Sequence, residues 1–169
     1  MSILNPEHLF DQSERLIQQR SSGPPRQVDT RRAISAAYYG VFHATTTAVA
    51  DLFVGKALRG LPRYNLVYRS INHKALSDLC KIVMAPTLKA KYYQYDPPGS
   101  FGSDMKFYAG AVVELQEKRH AADYDPRERM FTRDAQYALS MARRAVRQLD
   151  SAAPVVREMF LTLLLFPPR

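Results

Sequence analysis

The sequence predicts an all-α fold, an antiparallel bundle of four or five helices closed by a short apolar C-terminal helix. Apolar residues recur at three- and four-residue steps over long segments, and connections containing proline or glycine separate these segments. None of the segments shows the alternating apolar and polar pattern of a strand. Hydrophobic residues make up 46% of the 169 residues, so the chain over 1–169 is expected to form one helical domain with its own core.

The first two helices are predicted from their end signals and apolar spacing. Asn5 followed by Pro6 is typical of a helix start, and this helix is expected over about 6–20, before the Ser/Gly/Pro connection at 21–25. The second helix is expected to begin near Asp29 or Thr30 and to end at about residue 54, just before Gly55. Its many alanines allow neighbouring helices to approach closely, which places it at the centre of the bundle.

Four further helices follow along the chain. They are expected over about 66–84, over about 104–122, from the N-cap Thr132 to about 149, and over the apolar segment 155–166. The connection at 92–103 contains two prolines followed by Gly99, which exclude regular structure there. Short connections between helices favour antiparallel neighbours.

The charge balance indicates an anionic partner. Lys and Arg number 24 against 16 Asp and Glu, a formal net charge of +8. Such an excess favours nucleic acid, nucleotides, an acidic protein or a membrane surface, although a protein can also be basic without any such partner. The most basic stretch follows residue 124, and we interpret it either as a solvated face or as a surface for a nucleic-acid backbone. Its arginines are Arg127, Arg129, Arg133, Arg143, Arg144 and Arg147.

Several other classes of protein do not fit the sequence. The single cysteine, Cys80, cannot form an intramolecular disulfide. Residues 1–11 lack the order of a secretory signal, and the longest apolar run, 160–166, is too short to span a bilayer, so we expect a cytoplasmic protein without membrane association. No glycine-rich phosphate loop is present and the four histidines do not form a zinc pattern, so no cofactor and no metal are expected.

Two segments together resemble a known family. The first segment, on the predicted second helix, consists of Arg32, Ala33, Ser35, Ala37, Tyr38, Tyr39, Phe42 and His43. The second segment, at the end of the predicted helix over 104–122 and just after it, consists of Arg119, Ala122, Asp123 and Tyr124. In this order and spacing, over about 30–150, they resemble the HEPN family of nucleotide- and RNA-associated helical domains. The resemblance implies a helical bundle that forms a homodimer, with RNA or a nucleotide as ligand. It also implies a place in a toxin–antitoxin or defence pair, with a small nucleotidyltransferase as partner protein.

The arginine motif departs from that of the family's active members. Those members are metal-independent ribonucleases in which a histidine follows the arginine by four to six residues. There the arginine binds the phosphate, and the histidine moves the proton of the ribose 2′-hydroxyl. Here Tyr124 stands five residues after Arg119, and a tyrosine with a pKa of about 10 is a poor base at neutral pH. We therefore favour nucleotide or RNA binding. The alternatives are a ribonuclease using Arg119 with Tyr124 or His43, and a non-catalytic dimeric interaction module.

The candidate binding residues also have structural interpretations. They are Arg119, Asp123, Tyr124, Tyr39, Arg69 and His73. Arg119 and Asp123 are four residues apart, the spacing of a local ion pair on a helix. Arg69 and His73 have the same spacing in the predicted helix over 66–84 and would form a second anion-binding face. His43 is typical of a hydrogen-bonded core histidine, and a catalytic role requires it to face Arg119 across the bundle.

Overall fold

The computed structural model describes residues 4–18 and 23–169, which form seven α-helices and two short 3-10 segments. The helices are α1 (Pro6–Ile17), α2 (Gln27–Phe53), α3 (Pro62–Arg69), α4 (His73–Met84), α5 (Gly102–Tyr124), α6 (Thr132–Ser151) and α7 (Pro154–Leu165). The 3-10 segments are Lys56–Leu58 and Ala90–Tyr95. The predicted all-α fold is confirmed. In the described part of the chain, no helix is long and apolar enough to cross a membrane.

Helix α2 is the centre of the bundle, as its small residues predicted. It packs against α1, α3, α5, α6 and α7, and α5 packs in turn against α4 and α6. Tyr38, Val41 and Val49 on α2 are at most 1% exposed. Side-chain contacts join Ser35 to Asp123 and Thr45 to Tyr108, so α2 and α5 run antiparallel.

A glycine sets the distance between α1 and α2. The Phe10 ring of α1 is 1% exposed and lies directly on Gly40, where a β-carbon would stand only 2.7 Å from one ring carbon. Ser13, three residues further along α1, donates a hydrogen bond of 2.8 Å to the Ala33 carbonyl of α2. The absence of a side chain at Gly40 therefore allows the first helix to seal one side of the core.

The ends of the helices agree with the predictions in most places. Asn5 caps α1 by accepting a hydrogen bond of 3.1 Å from the Glu7 backbone N–H. The predicted end of this helix near residue 20 lies outside the described residues. Helix α2 begins at Gln27, earlier than predicted. Thr132 is the first helical residue of α6 rather than its N-cap, which is Phe131.

The predicted helix over 66–84 is wrong, because the chain forms two helices there. Helix α3 ends at Arg69, and α4 begins at His73 after a break. Asn72 caps α4 with a hydrogen bond of 2.8 Å from the Ala75 backbone N–H, and this capping bond requires a non-helical Asn72. Arg69 and His73 consequently do not share a helical face, and the anion-binding face that their spacing predicted is absent.

The connection at 92–103 is more ordered than predicted, because a 3-10 segment reaches Tyr95 and α5 begins at Gly102, whereas the C-terminal segment folds as expected. The connection at 92–103 contains the end of the Ala90–Tyr95 segment, and it covers the core with Tyr92 and Phe101, which are 6% and 3% exposed. The C-terminal apolar helix is α7, and it closes the bundle with Phe160 and Leu161, both fully buried.

Candidate anion-binding site

Three helices bring the candidate residues to one place. Helix α2 contributes Tyr38 and Tyr39, α4 contributes His73 from its first turn, and α5 contributes Arg119 and Asp123 from its last two turns. We call these five residues the Arg119 cluster. Because adjacent residues on a helix point about 100° apart, Tyr38 turns into the core, where it is 1% exposed, and Tyr39 stays at its edge.

The Arg119 guanidinium contacts the two tyrosines of α2 and makes few hydrogen bonds. Its side chain is 13% exposed, and its Nη2 donates a hydrogen bond of 3.0 Å to the Tyr39 hydroxyl. The guanidinium carbon lies 5.5 Å from the centre of the Tyr38 ring and 5.3 Å from that of Tyr39. Nε has no hydrogen-bond partner among the described residues. A guanidinium has five N–H donors, so most of them are not matched by protein acceptors in the described chain.

Asp123 is the nearest counter-charge of Arg119. Its Oδ2 lies 3.4 Å from the Arg119 Nε, which is the local ion pair that the spacing predicted. Its Oδ1 accepts a hydrogen bond from the hydroxyl of Ser35, which is 7% exposed on α2. The Asp123 side chain is still 28% exposed. The carboxylate thus joins α5 to α2 while it faces solvent on one side.

His73 is a histidine whose pKa is affected by the charge of Arg119. Its Nδ1 lies 2.8 Å from the Tyr38 hydroxyl. Burial raises the pKa of Tyr38, so the phenol keeps its proton at neutral pH. Burial also lowers the pKa of His73, and the positive charge of Arg119 lowers it further. The imidazole is therefore neutral at pH 7, with one ring nitrogen a donor and the other an acceptor.

His43 lies one ring further from the arginine. Its Nδ1 is 2.6 Å from the Tyr68 hydroxyl, and its ring stacks on Tyr39 with 6.3 Å between ring centres. Burial lowers the pKa of His43, so this imidazole is also neutral at pH 7. In the described residues, the contact between His43 and Arg119 runs through the Tyr39 ring. His43 thus lies at the edge of the cluster. Its hydrogen bond with Tyr68 is typical of a core histidine.

Tyr124 ends α5 as an exposed ring beside the cluster. It is 65% exposed, and its ring centre lies 5.9 Å from the Arg119 guanidinium carbon. The ring lines a groove of about 900 Å³ together with Asp123, Arg31 and Arg129. Arg69, by contrast, is exposed at the end of α3, and no hydrogen bond or ion pair joins it to the cluster among the described residues.

Sequence reasoning missed one residue that fixes this site. Arg31 donates hydrogen bonds of 2.8 Å to the Ala122 carbonyl and 2.9 Å to the Asp125 carbonyl, so it ties the end of α5 to α2. Helix C-termini leave such carbonyls without partners, and a guanidinium satisfies several of them at once. Arg31 precedes Ser35 by four residues, so a helical-face argument applied to the second helix would have found it.

The arrangement suits an anion, since a cation with unmatched donors stands beside exposed polar and aromatic groups. Among residues 4–18 and 23–169, no three His, Cys, Asp or Glu side chains are grouped so as to hold a metal ion. A comparison with models of known protein families, with curated proteins and with solved structures finds no match to this chain.

Proposed function

We propose that this chain is a HEPN-like protein that binds nucleotides or RNA and holds a phosphate on Arg119. One observation carries the proposal: Arg119 is 13% exposed, is held by Tyr39 and Asp123, and donates one hydrogen bond to a protein acceptor in the described residues. A guanidinium binds phosphate through two parallel hydrogen bonds, and prior fixation of the side chain lowers the entropic cost of binding.

A second arginine of the same chain shows how a structural guanidinium differs. Arg59 donates to both carboxylate oxygens of Asp51, through Nε at 2.9 Å and through Nη2, and Tyr64 completes the group with a hydrogen bond of 2.8 Å. Both carboxylate oxygens of Asp51 thus accept hydrogen bonds from Arg59, and the contacts of this ion pair are made within the group. The closest approach of Arg119 to its carboxylate is at Nε, 3.4 Å away and outside hydrogen-bond geometry. This contrast favours a role for Arg119 beyond the local ion pair.

The exposed ring of Tyr124 is placed where it could contact the base of a nucleotide whose phosphate is on Arg119. Tyr124 presents an exposed ring within 5.9 Å of the Arg119 guanidinium, and a base attached to a bound phosphate would reach that ring. Stacking of a base on an aromatic side chain tolerates any base, because every base has a π-face. Tyr124 is therefore assigned to base contact rather than to proton transfer, and Asp123 and Tyr39 to orienting the arginine.

A second candidate function is a metal-independent ribonuclease that uses Arg119. The observation in its favour is His73, a neutral imidazole that shares Tyr38 and Tyr39 with the arginine. A neutral histidine is a competent base near pH 7. The resemblance extends both proposals to a cytoplasmic homodimer that acts in a toxin–antitoxin or defence pair with a small nucleotidyltransferase.

The test measures binding and cleavage of labelled single-stranded RNA by metal-free protein. We expect salt-sensitive binding that weakens about 10-fold or more in Arg119→Ala, the loss expected for charged hydrogen bonds. Arg63→Ala is the matched control, because Arg63 is exposed on α3 and its loss removes the same charge elsewhere. Cleavage that disappears in His73→Asn would establish the ribonuclease. Unchanged RNA affinity in a folded Arg119→Ala protein would refute the proposal.

A further inference from the structure

The face formed by α5 and α6 has features that the Arg119 cluster does not use. These antiparallel helices leave a groove of about 600 Å³, with Phe107 and Met141 in its lining. Gly110 stands in this groove without a side chain, and a β-carbon there would lie 3.7 Å from the Met84 terminal methyl. The groove is therefore open space at the surface and is not filled by the core.

Three aromatic rings on this face each have a lysine or arginine side chain next to them. The guanidinium carbon of Arg144 lies 4.0 Å from the centre of the Phe107 ring, and Lys118 Nζ lies 5.3 Å from that of Tyr137. Phe131, at the start of α6, has two guanidinium groups near its ring, those of Arg133 at 5.0 Å and Arg129 at 5.4 Å. Phe131 is 44% exposed and Tyr137 is 52% exposed. Exposed rings beside cations have the composition of surfaces that stack nucleic-acid bases.

One ring and two cations lie in a line along α6. Tyr137 follows Arg133 by four residues and precedes Arg144 by seven, which corresponds to about 6 Å and about 10 Å of helix rise. Phe131 precedes the helix, and its ring lies 5.0 Å from the Arg133 guanidinium. Arg133, Tyr137 and Arg144 fall within about 40° of each other around the helix, because their spacings are close to whole turns. A ligand that contacts all three is therefore extended, about 17 Å long, rather than compact.

The charge of the face favours an anionic ligand. Its cations outnumber its carboxylates by five to three. The cations are Lys106, Lys118, Arg129, Arg133 and Arg144, and the carboxylates are Glu114, Glu117 and Asp134. Two of the carboxylates have partners, since Glu114 lies 3.6 Å from Lys118 and Asp134 accepts a hydrogen bond of 2.8 Å from the Phe131 backbone N–H.

We propose that this face, the α5–α6 track, binds single-stranded RNA, with bases stacked on Phe131 and Tyr137 and phosphates paired with the arginines. Exposed rings interleaved with cations are how proteins hold single strands without reading their sequence. The inference rests on the proposed function and extends it from a nucleotide to a strand. The track borders the surface beside Tyr124, because Glu117 lines both the α5–α6 groove and a second groove that contains His120 and Tyr124.

The test compares labelled oligouridylates of about 4 and about 16 nucleotides by fluorescence anisotropy. Tyr137→Ala is expected to weaken binding of the longer strand by about fivefold or more and to leave the shorter one unchanged. Arg133→Ala is expected to reduce the slope of log affinity against log salt by about 0.7 for the longer strand. Tyr93→Ala is the matched control, because Tyr93 is 59% exposed in the Ala90–Tyr95 segment.

The outcomes separate the track from the proposed function. Arg119→Ala should weaken both lengths. Equal affinity of wild type, Tyr137→Ala and Arg133→Ala for the longer strand overturns the track, whatever Arg119→Ala does. If the track variants weaken the longer strand while Arg119→Ala changes neither length, the track stands and the proposed phosphate site fails. A change of oligomeric state in Tyr137→Ala with unchanged RNA affinity would assign the face to a protein contact and overturn the inference.

Discussion

Replacement of Gly40 by alanine tests the contact that seals α1 onto the bundle. A β-carbon at this position would stand 2.7 Å and 2.8 Å from two carbons of the Phe10 ring, and a third ring carbon lies closer still. The ring is rigid and 1% exposed, so it has no free space into which to turn. Relief requires α1 to move away from α2, which loses the contacts that bury Phe10.

The expected magnitude follows from two opposing terms. Overpacking of this kind costs about 1–3 kcal/mol, whereas exchange of glycine for alanine inside a helix gains about 1 kcal/mol. The variant Gly40→Ala is therefore expected to lose up to about 2 kcal/mol of unfolding free energy. Gly110→Ala is the matched control. Its β-carbon would make only ordinary contacts with Met84, at 3.7 Å and 3.8 Å, so the gain of about 1 kcal/mol should appear in full.

Urea unfolding followed by circular dichroism measures both variants. The account predicts opposite shifts, with a lower midpoint for Gly40→Ala and a higher one for Gly110→Ala. Adding Phe10→Leu to Gly40→Ala should cost less than the sum of the two single changes, because the smaller side chain removes the clash. A Gly40→Ala protein as stable as Gly110→Ala would show that α1 does not pack on α2 as described.

Three further predictions concern the surroundings of the site. Arg31→Lys should lower the unfolding free energy by about 1–2 kcal/mol in chemical unfolding, because an ammonium cannot bridge the separate carbonyls at the end of α5. Burial lowers the pKa of His43 and His73 in the folded chain, so the unfolded chain binds protons at higher pH. The thermal midpoint should therefore fall as the pH drops below about 6.5, and a midpoint that rises there would contradict the assignment. Ser35→Ala should weaken RNA binding in an anisotropy titration, since it frees the Asp123 carboxylate to pair more fully with the arginine; unchanged affinity would count against that coupling.

The helices could be predicted because each buries one face, and burial of one face imposes a repeat of three and four residues. The break between α3 and α4 was missed for the same reason. Apolar residues continue in helical spacing across it, through Val67, Ile71 and Ala75, all of which are buried or partly buried against the core. The local signal for the break was Asn72, whose side chain caps α4, and a single capping residue is easily outweighed by a periodic pattern.

The site could be predicted only within single helices. The pairing of Arg119 with Asp123 follows from their four-residue spacing, and the structure has it. The contact of Arg119 with Tyr39, and the placement of His73 beside both, depend on how α2, α4 and α5 are aligned against one another. That alignment is decided by core packing between helices, which spacing along one chain segment does not contain.

The most direct test of the central claim is an NMR titration of the arginine side-chain Nε–H signals with single-stranded RNA. The Arg119 signal is identified by its loss in Arg119→Lys. We expect this signal to shift progressively and to saturate with the added RNA, because a phosphate bound to the guanidinium changes the surroundings of the Nε–H next to it. RNA that binds and shifts other arginine signals while leaving that of Arg119 in place would contradict it.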